Sequence, residues 1–510
     1  MPALAPLLDQ AAEAFGFPPY IIRLVTALLI TYPTGFLFLR LPADQPCLKH
    51  LFSVGIALLL HIEVLGDWLG LVHLSLAALS TYVLAYTVHS RLMPQMVMLL
   101  TMLHLSLTHI ARMDETSDYA KADFSGAQMV LVIKLTSFAF NVHDGRRKEQ
   151  ELNAYQKQYR IMKMPSLLEF MGYTFFFGGF LVGPAFEYND YKQFCNMEIF
   201  REKVFRPSGM RASLSCLGQS AVAIGLLVTL GPVFPIHYCL SEEYYQASFL
   251  ARFFYLQIAS VLARMKYYFV WKLSESVCIL TGLAFNGYDA QGNPRWCVDR
   301  VSNVRIMDYE LAQSPRALMD SWNIGTNVWL RNYVYLRLTK PGEKDTFVAT
   351  LATFTSSAIW HGFYAGYYLT FASGALTTTL ARTMRRTFRA LAVNLETQQP
   401  RAIKPAYDLA GWFLTQMTIN HVVAPFQLLT LSASWSTWRA NYFVVHLSMI
   451  ALYLWLVYAG GARWVRRRLT PADVEVRKNL PASKPAPSGD AVEATQETLM
   501  GTHPASAVTP

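Results

Sequence analysis

The stretch TSSAIWHGFYAGYYLTF, Thr355–Phe371, sets one histidine, His361, in an otherwise apolar and aromatic run. Runs of this character recur along the whole chain. Of 510 residues, 53% are hydrophobic, 14% aromatic and 15% charged, where a water-soluble domain carries about 25% charged residues. That deficit is what remains when much of the surface faces lipid. Roughly 20 apolar residues cross the hydrocarbon core as a helix, and every backbone amide there must be bonded internally, so the spans are helical.

Candidate spans lie near Ile21–Leu39, Leu51–Val72, Leu74–Val88, Met93–Ile110, Met129–Phe140, Leu167–Ala185, Cys216–Ile236, Phe249–Val270, Val348–Trp360, Phe363–Leu380, Leu409–Leu431 and Tyr442–Tyr458. The expected fold is an all-α polytopic membrane bundle. Met1–Tyr20 lacks a basic n-region and carries Asp9 and Glu13, so the first span reads as retained. The net charge of +10 sits in short blocks beside spans, such as Gly145–Met164 and Arg463–Leu469. Such blocks keep loops cytoplasmic and attract anionic headgroups, which argues against a nucleic-acid partner. An acidic N-terminal segment on the opposite side requires an odd number of crossings, about eleven.

Three parts follow: an N-terminal segment (residues 1–18), a multi-span domain (residues 19–470) and a tail (residues 471–510). The tail is rich in Pro, Ala, Ser and Thr and is expected to be disordered. Six scattered cysteines, with no C-x-x-C pair, suggest neither zinc nor a disulfide framework. Asn286–Met319 reads as a long functional loop. In Asp320–Lys340, Asp320 or Ser321 could cap a helix that puts Trp322, Trp329 and Tyr333 on one face and Asn323 and Asn327 on another.

Ionisable or amide side chains fall in or beside the apolar runs: His61, Glu63, His104, His109, Asn141, His143, Asp144, Glu169, Arg264, Lys266, Asn323 and His361. Such residues mark function by default, but a large bundle also uses them as interhelical hydrogen bonds. His61, His104 and His109 lie in no motif and read as structural. Glu169 and Arg264 could pair with each other or with backbone. His361 differs because Gly362 and Gly366 follow it at four-residue spacing. That strips one face for close approach of a helix or a ligand.

Four ordered stretches carry a family resemblance: FAFNVHDGRRK (Phe138–Lys148), LAFNGYDAQGNPRWCVDRVSNV (Leu283–Val304), SWNIGTNVWLRNYVYLRL (Ser321–Leu338) and SAIWHGFYAGYYLTF (Ser357–Phe371). The chain resembles the membrane-bound O-acyltransferases, specifically the fungal-type lysophospholipid acyltransferase branch. The resemblance implies a helical bundle enclosing a catalytic chamber in the endoplasmic reticulum membrane. It also implies acyl transfer from acyl-CoA to a lysophospholipid hydroxyl, with no bound cofactor or metal. The family's catalytic histidine falls on His361 and its partner asparagine on Asn323. Alanine stands at Ala365 where the family usually has proline.

A glycerol hydroxyl is a poor nucleophile at neutral pH. An imidazole kept uncharged by apolar surroundings can take its proton as it attacks the thioester. Asn323 can donate to the developing oxyanion, or orient the imidazole, without adding charge. Arg331, Arg337 and Lys340 are candidate CoA phosphate contacts. Asn141, Asp144, Gly362, Gly366 and Tyr367 belong to the same motifs and to the expected substrate site. Composition and span count alone equally allow a transporter with His361 as a proton or substrate site.

Overall fold

The computed structural model describes residues 4–113, 124–201, 206–296, 300–339, 347–394 and 397–469. Lys340 and the tail lie outside the described residues. Helix α1 (Ala5–Phe15) ends on left-handed Gly16 and is tied to α2 (Pro19–Phe38) by the Asp9–Arg23 ion pair at 2.5 Å. Proline in the first turn starts α2, α3 (Pro46–Leu59) and α5 (Met93–Arg112), where its missing N–H costs no bond. A π-helical turn, Leu60–Leu65, extends α3. Asp67 then caps α4 (Trp68–Thr87) by accepting from the Gly70 amide.

Helix α6 (Ser125–Gly145) is the central strut, with residues buried on all sides. Next come α7 (Ala154–Tyr159), opened by an Asn153–Gln156 capping box, α8 (Leu167–Thr174) and α9 (Tyr188–Cys195). Helix α10 (Met210–Leu230) leads through α11 (Glu242–Gln246) to α12 (Phe249–Thr281), 33 residues long and ended by left-handed Gly282. Strands β1 (Phe285–Tyr288) and β2 (Pro294–Trp296) form an antiparallel hairpin. Short helices α13 (Ile306–Glu310), α14 (Pro315–Asp320) and α15 (Ile324–Trp329) follow, then a π-helical turn Leu330–Tyr335 and α16 (Leu336–Leu338). The last elements are α17 (Phe347–His361), α18 (Ala365–Ala392), α19 (Lys404–Val422), α20 (Ala424–Leu428), α21 (Leu431–Ala440), α22 (Val444–Val457) and α23 (Gly461–Leu469).

Among the described residues six helices are long and apolar enough to cross a membrane, or seven if α21 and α22, bent by 75°, form one broken span. The expected eleven is not reached on that measure. The reason is local: α17 has only 15 residues, and the apolar run Leu167–Ala185 folds as the eight-residue α8 followed by turns. Helix α12 carries Arg252, Arg264, Lys272 and Glu275 on buried positions.

The core is strongly aromatic. Phe38, Phe176, Phe177, Tyr191 and Phe194 pack ring against ring at 5.0–6.5 Å. Lys134, 1% exposed, donates to the Tyr173 and Thr174 carbonyls at the end of α8 and lies over the Tyr173 and Phe186 rings. Lys272 pairs with Glu275 at 2.9 Å. Arg264 pairs with Glu310 at 2.6 Å, while Glu169 accepts from the Tyr188 hydroxyl, so these two do not pair with each other.

Candidate active site

Helix α17 stops at His361 because Gly362 takes φ +114°, a conformation side chains rarely adopt. The Gly362 amide still bonds back to the Ala358 and Ile359 carbonyls, so the turn is closed and the imidazole is held at its rim. Four rings wall it: Trp360 at 4.7 Å, Phe426 at 5.1 Å, Phe371 at 5.4 Å and Tyr367 at 5.9 Å. His361 is half-buried and forms no hydrogen bond among the described residues.

Gly362 and Gly366 do not share one helix face, because the chain turns between them and α18 starts at Ala365. Each glycine has its own task. Gly366 donates to the Leu429 carbonyl at 2.7 Å, and a Cβ there would stand 2.1 Å from the Pro425 carbonyl. Close approach was the expected use of this glycine, and α20 is the element that approaches, bringing Phe426 to the imidazole.

Behind the turn stands His109 on α5. Its Nε2 lies 3.1 Å from the Trp360 carbonyl, and its ring packs where a Cβ on Gly362 would come within 3.3 Å. The Trp360 indole donates to the Met129 carbonyl at 3.0 Å. Both contacts pin the segment that presents His361. The sequence offered no motif for His109, since its partner is a backbone carbonyl 251 residues away.

Asn323 is the N-cap residue of α15, at φ +45°; Asp320 ends α14 and Ser321 is its C-cap. Asparagine tolerates this left-handed conformation better than most residues. The Thr326 hydroxyl donates to Asn323 Oδ1 at 2.8 Å, which leaves Nδ2 without a partner among the described residues. Asn327 instead donates to the Met319 and Trp322 carbonyls. Trp322 joins a separate cluster with Tyr267, Tyr268, Trp271 and Tyr309. The far end of α15 reaches the histidine's neighbour: the Trp329 and Trp360 rings are 6.3 Å apart. Asn323 stands at the other end of α15, about 9 Å from Trp329 by helical rise. No hydrogen bond joins it to His361 among the described residues.

Asn141 and Asp144 face a different centre. Asn141 donates to Glu187 at 2.7 Å and accepts from the Tyr333 hydroxyl at 3.0 Å. Glu187 also accepts from Tyr155 at 2.8 Å and Tyr333 at 2.9 Å. Burial lifts its carboxyl to about 7 against the opposing pull of those hydroxyls. Asp144, fully buried, receives both arms of Arg337 at 2.7 and 2.6 Å, and that guanidinium lies over the Phe140 and Tyr333 rings. Arg331 has no ion pair among the described residues. Glu187 escaped the sequence reading because its partners Tyr155, Asn141 and Tyr333 lie 32 to 146 residues away.

The family description membrane-bound O-acyltransferase matches residues 114–423. The lysophospholipid acyltransferase of Schizosaccharomyces pombe is 35% identical over 507 residues, covering 98% of this chain and 97% of that protein. The lysophospholipid acyltransferase of Saccharomyces cerevisiae is 34% identical over 503 residues, covering 94% and 81%. The membrane-bound glycerophospholipid O-acyltransferase 2 of Rattus norvegicus is 36% identical over 369 residues, covering 69% and 68%. Nothing in these matches points to transport.

Proposed function

The chain belongs to the membrane-bound O-acyltransferase family, and on that premise we propose that it moves an acyl chain from acyl-CoA to the free hydroxyl of a lysophospholipid in the endoplasmic reticulum membrane. It is a multi-pass membrane enzyme of the O-acyltransferase class. The observation that carries the mechanism is the unbonded imidazole of His361 at a broken helix end, walled by aromatic rings. His361 takes the hydroxyl proton as the oxygen attacks the thioester carbonyl carbon. The new C–O bond forms, the C–S bond breaks, and the proton passes to the leaving sulfur, releasing free CoA and restoring the neutral base. General-base help of this kind is worth about 10²–10⁴ in rate.

Asn323 is the proposed partner, its Nδ2 free to donate to the thioester oxygen. Arg331 is the favoured CoA phosphate contact, with Lys340 beside it in sequence. Arg337 supports that segment through Asp144. Gly362, Gly366 and Tyr367 shape the wall around the imidazole.

The test is transfer of a labelled acyl group from oleoyl-CoA to lysolipids of different headgroups, with purified protein. Product with stoichiometric CoA release is expected; CoA-independent solute uptake with no acyl product refutes the reading. Asn323→Ala is expected to lower kcat by about 10²–10³ if the amide serves the oxyanion. Unchanged kcat removes it from the mechanism.

A further inference from the structure

A cleft of about 410 Å³ lies where α21 breaks into α22 beside the start of α12, lined by Glu242, Tyr245, Arg252, Ser436, Arg439 and Tyr442. That volume falls within the range of small-molecule sites, about 300–1,000 Å³. Its electrostatics are unbalanced. Arg252 is 7% exposed, and no carboxylate stands within ion-pair distance of it among the described residues. One guanidinium arm donates to the Tyr245 carbonyl at 2.7 Å, the buried Nε has no partner, and the Tyr442 ring covers the group at 5.2 Å. Arg439, on the same lining, is exposed and has no ion pair among the described residues. A buried cation without a counter-charge is costly. Two guanidiniums line one cleft, and the donor fork of a guanidinium suits phosphate oxygens.

The surroundings select the kind of phosphate. Tyr442 occupies the 75° break between α21 and α22, helices apolar enough to span a membrane together. The helices that build the cleft carry exposed apolar side chains outside it, including Leu250, Phe254, Trp435 and Leu447. A headgroup in the cleft would leave acyl chains along that surface, where interfacial aromatics commonly sit. Glu242, held by Gln246 at 2.6 Å, puts one carboxylate on the lining beside two tyrosines. That adds a place for a cationic amine.

The floor is rigid. Asn441 donates to the Tyr244 hydroxyl, which donates to the Arg252 carbonyl. Ala424 packs beneath it on α20, the helix whose Phe426 touches His361. The cleft is thus separate from the catalytic histidine but one helix away from it. We infer that it binds the zwitterionic headgroup of a membrane phospholipid, phosphate on Arg252 and Arg439 and amine on Glu242.

The test uses full-length protein in neutral-detergent micelles and a phosphatidylcholine with a photoreactive diazirine near its headgroup. Crosslinks are located by peptide mass spectrometry. Label is expected within residues 242–254 or 436–442, removed by excess phosphatidylcholine but not by dioleoylglycerol. Arg439→Gln, at an exposed site where folding is unaffected, is expected to reduce it about tenfold, the worth of one charge-assisted bond. Arg252→Gln should do the same, with its melting temperature recorded alongside. Label elsewhere, full label in Arg439→Gln, or equal displacement by dioleoylglycerol overturns the inference. Displacement by inorganic phosphate alone assigns the cleft to free phosphate and overturns it too.

Discussion

Around Glu187 the fold gives every polar group a partner. Asn141, Tyr155 and Tyr333 donate to one carboxylate, and one turn along α6 the Asp144 carboxylate receives both arms of Arg337. Around His361 the fold supplies rings and backbone carbonyls but no hydrogen bond to the imidazole among the described residues. The two regions meet through one segment, since Trp329 and Tyr333 lie one turn apart, the first beside Trp360 and the second on Glu187. A satisfied network fixes position; an unsatisfied, accessible base is available for chemistry. Absence of a partner is not sufficient, however. Both nitrogens of His61 also lack one, yet that ring is 1% exposed and packed on Phe180, so nothing can reach it.

The sharpest break of this contrast is His361→Ala. Turnover is expected to fall by about 10²–10⁴, while abundance changes little, because the ring carries no hydrogen bond to lose. Residual turnover near wild type in a labelled-acyl assay defeats the contrast at once. Asp144→Ala should behave in the opposite way. It leaves Arg337, 12% exposed, without its carboxylate partner, a change that costs up to about 3–5 kcal/mol. The expected readout is loss of folded protein after solubilisation, with the surviving fraction retaining its KM for lysolipid. A well-folded Asp144→Ala that has lost only acyl-CoA affinity would move Asp144 from scaffold to substrate contact.

How much of this was legible in the sequence follows from range. Apolar runs are local, so α2, α5, α6 and α10 stand close to the expected spans. The run Leu167–Ala185 misled because Gly178, Gly179 and Gly183 sit within it and the chain turns there instead of crossing. Asn286–Met319 was read as a loop but holds the β-hairpin and two short helices, its turn closed by Asp289 accepting from the Gln291 and Asn293 amides. His361 and Asn323 were singled out through the motifs that carry the family resemblance, and their roles remain the proposal made above. What Asn141, Asp144 and Arg337 do was not, because their partners lie 46 to 193 residues away.

His109 sharpens the comparison at smaller scale. It is bonded, yet it belongs to the His361 side, because its bond holds the carbonyl next to His361. His109→Ala leaves that carbonyl unpaired and is expected to lower kcat about tenfold, in line with about 1–3 kcal/mol for an unmet buried group. His109→Gln can still donate and should recover most of the loss. Equal defects in the two variants, or a defect confined to KM, would reduce His109 to ordinary packing.

The smallest effect tests the satisfied side by pH. Burial holds the Glu187 carboxyl at about 7, above its ordinary 4.5. Between those values the native state keeps a proton that the unfolded chain has released, so stability falls as pH rises through the window and levels off above it. Asp190, pushed by burial to about 6, adds a slope of the same sign. Glu187→Gln cannot titrate, so its melting temperature should fall less steeply than wild type between about pH 5 and about pH 7. Adding Asp190→Asn should flatten the fall further. An unchanged slope in Glu187→Gln would mean that the hydroxyl and amide donors stabilise the carboxylate fully. Glu187 would then be an ordinary ionised acid, and the hub a charged anchor across the whole pH range.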